Sequence, residues 1–281
     1  YIPYVASELT VTDTGCTDAS GLGMGGHFAI GDTTYIWRLP FEQLVADSMI
    51  RSRGDGGSIT INELELLAIL AQNMLLHLQW SARGLDSVGR VALTYSDNTA
   101  AVAATGKFRL RSRAGLKMVK ALSQHAADNG YVARAMHIAG VKNVAADFLS
   151  RNLTRTGDVE INPEADPVPD DQLPAVVAEL LNQRAGATPI TASQVVLVDM
   201  PQHVHDEIMS LLQEALESTP WTRRTEHQSA FHYGHHGGRV GIVGRFREGG
   251  GGRIGMEGTG EDRVTLMVFE AEPNPNEDAR D

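Results

Sequence analysis

Four acidic side chains stand at places where a sheet protein gathers reactive groups. Asp18 closes a strand-like run in Thr-Asp-Ala-Ser, and Glu65 lies in the first turns of a long helical pattern in Glu-Leu-Leu-Ala. Asp97 ends another strand-like run in Ser-Asp-Asn, and Asp147 opens a short helical pattern in Ala-Ala-Asp-Phe-Leu-Ser-Arg. Strand ends and helix starts are where an open α/β sheet collects a site. Each residue alone has an ordinary structural use: Asp97 as a helix cap, Asp18 in a turn, Asp147 against a helix N-terminus. As a set they are different, because four neighbouring carboxylates repel one another unless cations sit among them. Mg²⁺ takes oxygen ligands and keeps waters in its remaining positions. Two such ions about 4 Å apart can activate water and stabilise the leaving oxygen of a phosphodiester.

The elements that must hold these groups follow from the apolar pattern. Val11 to Asp18, a run through Phe28 and Ile30, and Thr34 to Leu39 read as three strands with short turns, and Gly21 to Gly26 reads as a turn leading into the second. Ile61 to Trp80 is the clearest helix, with Leu64, Leu67, Ala68, Ala71, Leu75 and Leu78 on one face and Asn62 as its N-cap. Gly89 to Tyr95 is a fourth strand, Asn98 to Thr105 and Ser112 to Asn129 are helices, Tyr131 to Ile138 is a fifth strand, and Asn143 to Arg151 is a last short helix. The order βββ–α–β–α–α–β–α predicts an α/β domain: a mixed five-stranded sheet flanked by helices.

These residues also carry a family resemblance. Thr-Asp-Ala-Ser-Gly at 17–21, Glu-Leu-Leu-Ala at 65–68, Ser-Asp-Asn-Thr at 96–99 and His-Ile-Ala-Gly-Val-Lys-Asn-Val-Ala-Ala-Asp-Phe-Leu-Ser-Arg at 137–151 resemble the ribonuclease H domain of retroelement polyproteins, in detail that of DIRS-like retrotransposons. The resemblance covers residues 10–152. It implies a ribonuclease H-like fold and assigns Asp18, Glu65, Asp97 and Asp147 as catalytic ligands of two Mg²⁺ (or Mn²⁺) ions. It favours Glu65 over the nearby Glu63, because the family places its glutamate three residues before a helical alanine, here Ala68. His137, ten residues before Asp147, matches the family's loop histidine. An imidazole there suits proton transfer, although a strand-end histidine bonded to backbone is the ordinary alternative. Met24 stands where the family often has an aromatic residue, and the segment from Pro40 to Ser58 has no counterpart of clear use.

The implied activity is endonucleolytic hydrolysis of the RNA strand of RNA–DNA hybrids during reverse transcription, leaving 3′-hydroxyl and 5′-phosphate ends. A reverse transcriptase domain upstream in the same polyprotein is the implied partner. Arg109, Arg111, Arg113, Lys117 and Lys120 form a basic run entering a helix. The run reads either as a solvated face or as phosphate contacts that position a hybrid without reading its sequence. Asn98 and Asn143 are candidates to orient the site or touch the nucleic acid. Other nucleases of the superfold fit less well. The 3′–5′ exonucleases use Asp-x-Glu where this chain has Asp18-Ala19-Ser20, and integrases place their glutamate late. A catalytically silent scaffold module of a polyprotein is the alternative of a different class.

Bulk properties agree with a split chain of 281 residues. The net charge of −11 argues against a nucleic-acid binder only when taken whole. Residues 1–151 balance to +1 and residues 152–281 to −12, so the first part can still grip phosphates. The chain opens Tyr1-Ile2-Pro3 and reads as a piece of a longer protein. One cysteine, Cys16, suits a reducing compartment, and no apolar run is long enough to span a membrane, so an intracellular site (cytoplasm or nucleus) is expected. The expected organisation is a ribonuclease H-like domain over 1–155, an acidic Pro-rich linker over 156–189 with a short helix from Ala175 to Gln183, a small α+β region over 190–272 and a disordered tail over 273–281. In the α+β region Val195 to Val198, Val240 to Val243 and Val264 to Phe269 read as strands and Val204 to Glu217 as an amphipathic helix. His227, His232, His235 and His236, with His203 and His205 upstream, read as a polar loop more readily than as a metal site, since no cysteine set accompanies them.

Overall fold

The first three strands form an antiparallel meander: β1 (Asp13–Ala19), β2 (Gly23–Ile30) and β3 (Thr33–Pro40). A short helix α1 (Gln43–Asp47) and the long α2 (Ile61–Ala82) lead to β4 (Val91–Ser96), which pairs parallel to β1. Then come α3 (Thr99–Lys107), α4 (Arg113–Asp128), β5 (Val132–His137), parallel to β4, and α5 (Val144–Arg151). These elements are drawn from a computed structural model that describes residues 11–50, 56–107, 112–153, 167–183 and 189–217, and the backbone of four strands between 233 and 269. Apart from the added α1, the element order over this stretch is the expected one. The resulting architecture is mixed α/β, a sheet flanked by helices on both faces.

The sheet has six strands, not five, in the order β5-β4-β1-β2-β3-β6. The sixth, β6 (Val195–Leu197), adds parallel to β3, with Tyr35 opposite Val196. Two helices from the same stretch also join. Helix α6 (Leu173–Asn182) packs Leu173, Val177 and Ala178 against Ile36, Ala145 and Leu149. Helix α7 (Gln202–Leu216) buries Val204, Ile208, Leu212 and Ala215 in the main core beside α2 and α4. Burying each such aliphatic side chain is worth roughly 1.5–3 kcal/mol. The compact unit that contains these elements spans 10 to 222. Within the expected linker, residues 167–183 pack into this unit. Arg38 donates to the carbonyls of Asn152 (2.7 Å) and Val168 (3.2 Å) and pairs with Asp170. Residues 154–166 lie outside the described set.

Helix α2 is buried nearly all round, because the sheet covers one side and α4 and α7 the other. Leu66, Ile69, Leu70, Met74 and Leu76 are as inaccessible as the predicted apolar face. Its N-cap is Thr60 and not Asn62. The Glu63 carboxylate accepts from the Thr60 backbone N–H at 2.7 Å and its hydroxyl at 2.9 Å, a capping box. The Asn62 side chain instead accepts from Asn98 at 2.9 Å. Ser112 caps α4 through a 2.9 Å bond from the Gly115 N–H, and Gly130, at φ 70, follows the helix end as expected.

The glycines at 23–26 are strand residues rather than a turn. They are small because helices press on both faces of β2. A Cβ on Gly25 would lie 2.7 Å from the Leu149 Cβ and 2.8 Å from the Leu149 carbonyl carbon, so α5 reaches the sheet only over a bare backbone. Met24 is fully buried in the core.

The second unit contains a four-stranded antiparallel sheet, β7 (Tyr233–His236), β8 (Arg239–Ile242), β9 (Arg253–Thr259) and β10 (Arg263–Phe269), in the order β10-β9-β8-β7. Two of its strands were expected, and β7 and β9 were not. His235 and His236 lie on β7 and His203 and His205 on α7, whereas His227, His232, Gly249 to Gly252 and the tail from 273 lie outside the described residues.

Candidate active site

Parallel pairing of β1 and β4 sets the geometry. Cys16 lies opposite Tyr95 in the register, so Asp18 and Asp97, two residues further along the chain in each case, stand together at the carboxyl ends of these two interior strands. The first turns of α2 bring Glu65 to the same end. One carboxylate oxygen each from Asp18, Glu65 and Asp97 lies within 4.8 Å of the others, and this is the one potential metal-holding group among the described residues. Asp18 and Glu65 are 3% and 2% exposed, and Asp97 is half-buried.

Hydrogen bonds aim these groups. Glu65 accepts from the Ala19 N–H at 3.4 Å on one oxygen and from the Ser96 hydroxyl at 3.1 Å on the other. Asp18 accepts from the Ser150 hydroxyl at 2.5 Å. Glu63, the alternative to Glu65, is spent on the capping box at Thr60.

The electrostatics are frustrated. Burial pushes the Glu65 carboxyl up from 4.5 to about 8, with the Asp18 and Asp97 carboxylates adding to the rise. Burial likewise lifts Asp18 from 3.8 to about 6, against the lowering effect of the Ser150 bond, and the Asp147 and Asp97 carboxylates reinforce it. A protein that held these groups only for its own stability would neutralise or pair them. The donor set is oxygen alone, with no thiol or imidazole in the trio, which suits a hard divalent ion such as Mg²⁺ or Mn²⁺.

The fourth expected carboxylate stands apart from this trio. Asp147, on the first turn of α5, is close enough to raise Asp18, but its own carboxylate accepts from Arg151 Nε at 2.6 Å across one helical turn. His137 is exposed at the end of β5, directly across the register from Ser96, next to Asp97. The Ile138 N–H donates to the Ser96 carbonyl at 3.1 Å and fixes this approach.

Three of the candidates for touching nucleic acid make contacts within the fold. Asn143 is 1% exposed and donates to the Thr17 carbonyl at 2.9 Å, so it ties α5 to β1. Asn98 accepts from the Ala100 and Ala101 N–H groups as the cap of α3 and donates to Asn62. Lys117 is exposed on α4 and pairs with Glu214 of α7. Arg113 and Lys120 are exposed on the same helix, and Arg109 and Arg111 lie outside the described residues.

Three residues of the site had no role in the sequence reading. Ser96 and Ser150 are the hydroxyl donors to Glu65 and Asp18. Gly140 rides over Asp97, where an added Cβ would lie 2.8 Å from Asp97 Oδ2. The signal for both serines was their place inside the recognised motifs, one residue before Asp97 and three after Asp147.

No protein-family model and no curated protein sequence matches this chain. Solved structures do resemble it. The ribonuclease H1 called LC11, isolated from compost by a metagenomic approach, is 14% identical with a TM-score of 0.35, covering 50% of this chain and 93% of its own. The same enzyme solved in complex with an RNA/DNA hybrid is 17% identical with a TM-score of 0.35, covering 49% and 92%. Ribonuclease H1 from the halophilic archaeon Halobacterium salinarum NRC-1 is 14% identical with a TM-score of 0.32, covering 49% and 92%.

Proposed function

We propose that this chain is a divalent-metal-dependent endonuclease that hydrolyses the RNA strand of RNA–DNA hybrids, acting in the reverse transcription of a retroelement. The observation that carries the reading is the convergence of Asp18, Glu65 and Asp97, from two parallel strands and a helix, within 4.8 Å at the carboxyl ends of those strands. Two of these carboxylates are nearly inaccessible and hold pKa values of about 6 and about 8, so the bare site resists its own charge. Such an arrangement is the one a divalent cation relieves.

Asp18, Glu65 and Asp97 would hold the ions, with Asp147 at the rim. When bound, Mg²⁺ or Mn²⁺ supplies Lewis-acid polarisation of the scissile phosphodiester and activates water. The chain's own groups do the rest. Ser96 and the Ala19 N–H fix both oxygens of Glu65, and α5 closes the site from the other face of the sheet. His137, exposed at the end of β5 and opposite Ser96 in the register, would carry a proton to or from the reacting phosphate. Arg113 opens α4 at its positive dipole end, where a cation gains nothing for the helix, and that placement favours a phosphate contact. Recognition of the hybrid would rest on groove shape and the 2′-hydroxyls of the cut strand.

The test offers the 281-residue chain three end-labelled duplexes of one sequence in Mg²⁺: RNA–DNA, DNA–DNA and RNA–RNA. Internal cuts confined to the RNA of the hybrid, with 3′-hydroxyl and 5′-phosphate ends, are expected. Equal cutting of duplex DNA would move the reading to another nuclease, and no cutting would leave a silent scaffold.

A further inference from the structure

We infer that Ser150 is a positioning residue for the metal site, holding Asp18 in the rotamer that leaves its second oxygen free. The inference rests on the proposed metal-dependent function. Ser150 is fully buried on the face of α5 that meets the sheet, and its hydroxyl donates to Asp18 Oδ2 at 2.5 Å. The same hydroxyl lies 2.9 Å from the Asp147 carbonyl one turn back. It has a single proton, and the shorter contact to a carboxylate is the stronger acceptor.

Ser150 is itself fixed. Its carbonyl accepts from the Ser20 hydroxyl at 2.8 Å, and the Ser20 hydroxyl also accepts from the Leu22 N–H at 3.0 Å. The end of β1 and the end of α5 are therefore stitched together at Ser20, two residues past Asp18. The close packing of α5 over Gly25 sets the distance at which this can happen. The neighbouring Arg151 points outward to Asp147 instead. One dipeptide at the end of α5 thus handles two carboxylates, the buried one through Ser150 and the rim one through Arg151. A hydroxyl that satisfies one oxygen of a ligating carboxylate orients the other. Removing such a partner typically lowers metal affinity or activity by roughly 10–100-fold.

The test measures Mn²⁺ binding to the full chain by calorimetry, for the unaltered protein and for Ser150→Ala, with hybrid cleavage and thermal unfolding in EDTA alongside. The expected result is Mn²⁺ affinity weaker by about 10-fold in Ser150→Ala, a matching rise in the Mg²⁺ needed for half-maximal cleavage, and near-normal cleavage at saturating Mg²⁺. Ser150→Cys, which keeps the size and a weak donor, should fall between. Unchanged Mn²⁺ affinity in Ser150→Ala overturns the positioning role and leaves the nuclease reading standing, as does a lowered unfolding temperature with no change in affinity. Failure of the unaltered chain to cut the hybrid while it still binds Mn²⁺ in a Ser150-dependent way overturns the nuclease reading alone. Absence of Mn²⁺ binding to the unaltered chain overturns both.

Discussion

Replacing Glu65 with glutamine should make the protein more stable and inactive at once. The fold prefers Glu65 protonated, since burial and two neighbouring carboxylates raise it from 4.5 to about 8. The sign follows directly. The native state binds the proton more tightly than the unfolded chain, so stability is full below the unfolded value and is lost as pH rises toward the folded one. At about 1.4 kcal/mol per unit, ionising Glu65 in the metal-free protein costs about 4–5 kcal/mol by pH 8. Glutamine carries no charge and forgoes at most one charge-assisted bond, from Ala19 or Ser96, worth roughly 1–2 kcal/mol. The net gain for Glu65→Gln is then about 2–4 kcal/mol at pH 8 and near zero at pH 4. At roughly 2–4 °C per kcal/mol for a unit of this size, the variant should melt about 5–15 °C higher at pH 8 in EDTA. Thermal unfolding by circular dichroism from pH 4 to pH 8.5 reads this directly. Added Mg²⁺ should stabilise the unaltered protein and leave the variant nearly unmoved. Glu63→Gln is the control. It weakens the capping box, costs about 1 kcal/mol at every pH and keeps activity. A Glu65→Gln protein that is less stable at pH 8, or whose gain does not grow with pH, would refute the picture of a charged and frustrated site.

Three further outcomes are expected. Gly25→Val should destabilise the protein by about 2–3 kcal/mol, because its side chain enters the space of Leu149, and it should weaken metal binding as α5 lifts; urea unfolding and Mn²⁺ calorimetry read both effects. Gly140→Ala should leave the melting temperature within a few degrees but cut the cleavage rate about 10-fold or more, because its methyl presses on Asp97; hybrid cleavage under single turnover measures it. Arg113→Ala should weaken hybrid binding at low salt and lower the slope of log K against log salt by about 1, without altering the cleavage pattern, as read by fluorescence anisotropy.

The carboxylates were legible because chemistry fixed their type and strand ends fixed their place. Glu65 could be told from Glu63 by motif alone, and the structure gives the physical distinction: Glu63 turns back to cap α2 and Glu65 turns in to the trio. What sequence could not supply was tertiary. The run at Val195 reads as a strand by itself, but it has three residues and its partner β3 lies some 160 positions earlier, so no local pattern shows that it joins this sheet. The clamp by Arg38 on Asp170 is equally remote, and without it a stretch rich in proline and aspartate reads as a linker. Glycine in β2 looked like a turn because its cause, the passage of α5 over Gly25, lies at Leu149. Asn143 looked available because its polarity is visible in sequence and its burial against Thr17 is not. Asp147 was grouped with the trio by motif, whereas its i,i+4 partner Arg151 holds it at the rim.

The central claim is a carboxylate-held metal site that cuts RNA in a hybrid. Asp97 tests it most directly, since it belongs to the trio, is half-buried, and can be neutralised with least disturbance of the core. Cleavage of an end-labelled RNA–DNA hybrid in excess Mg²⁺ should be compared for the unaltered chain and Asp97→Asn. Metal-dependent internal cuts in the RNA strand are expected of the first, and a loss of about 100-fold or more in the second. No cleavage by the unaltered chain, or cleavage undiminished in Asp97→Asn, would overturn the metal-dependent nuclease reading.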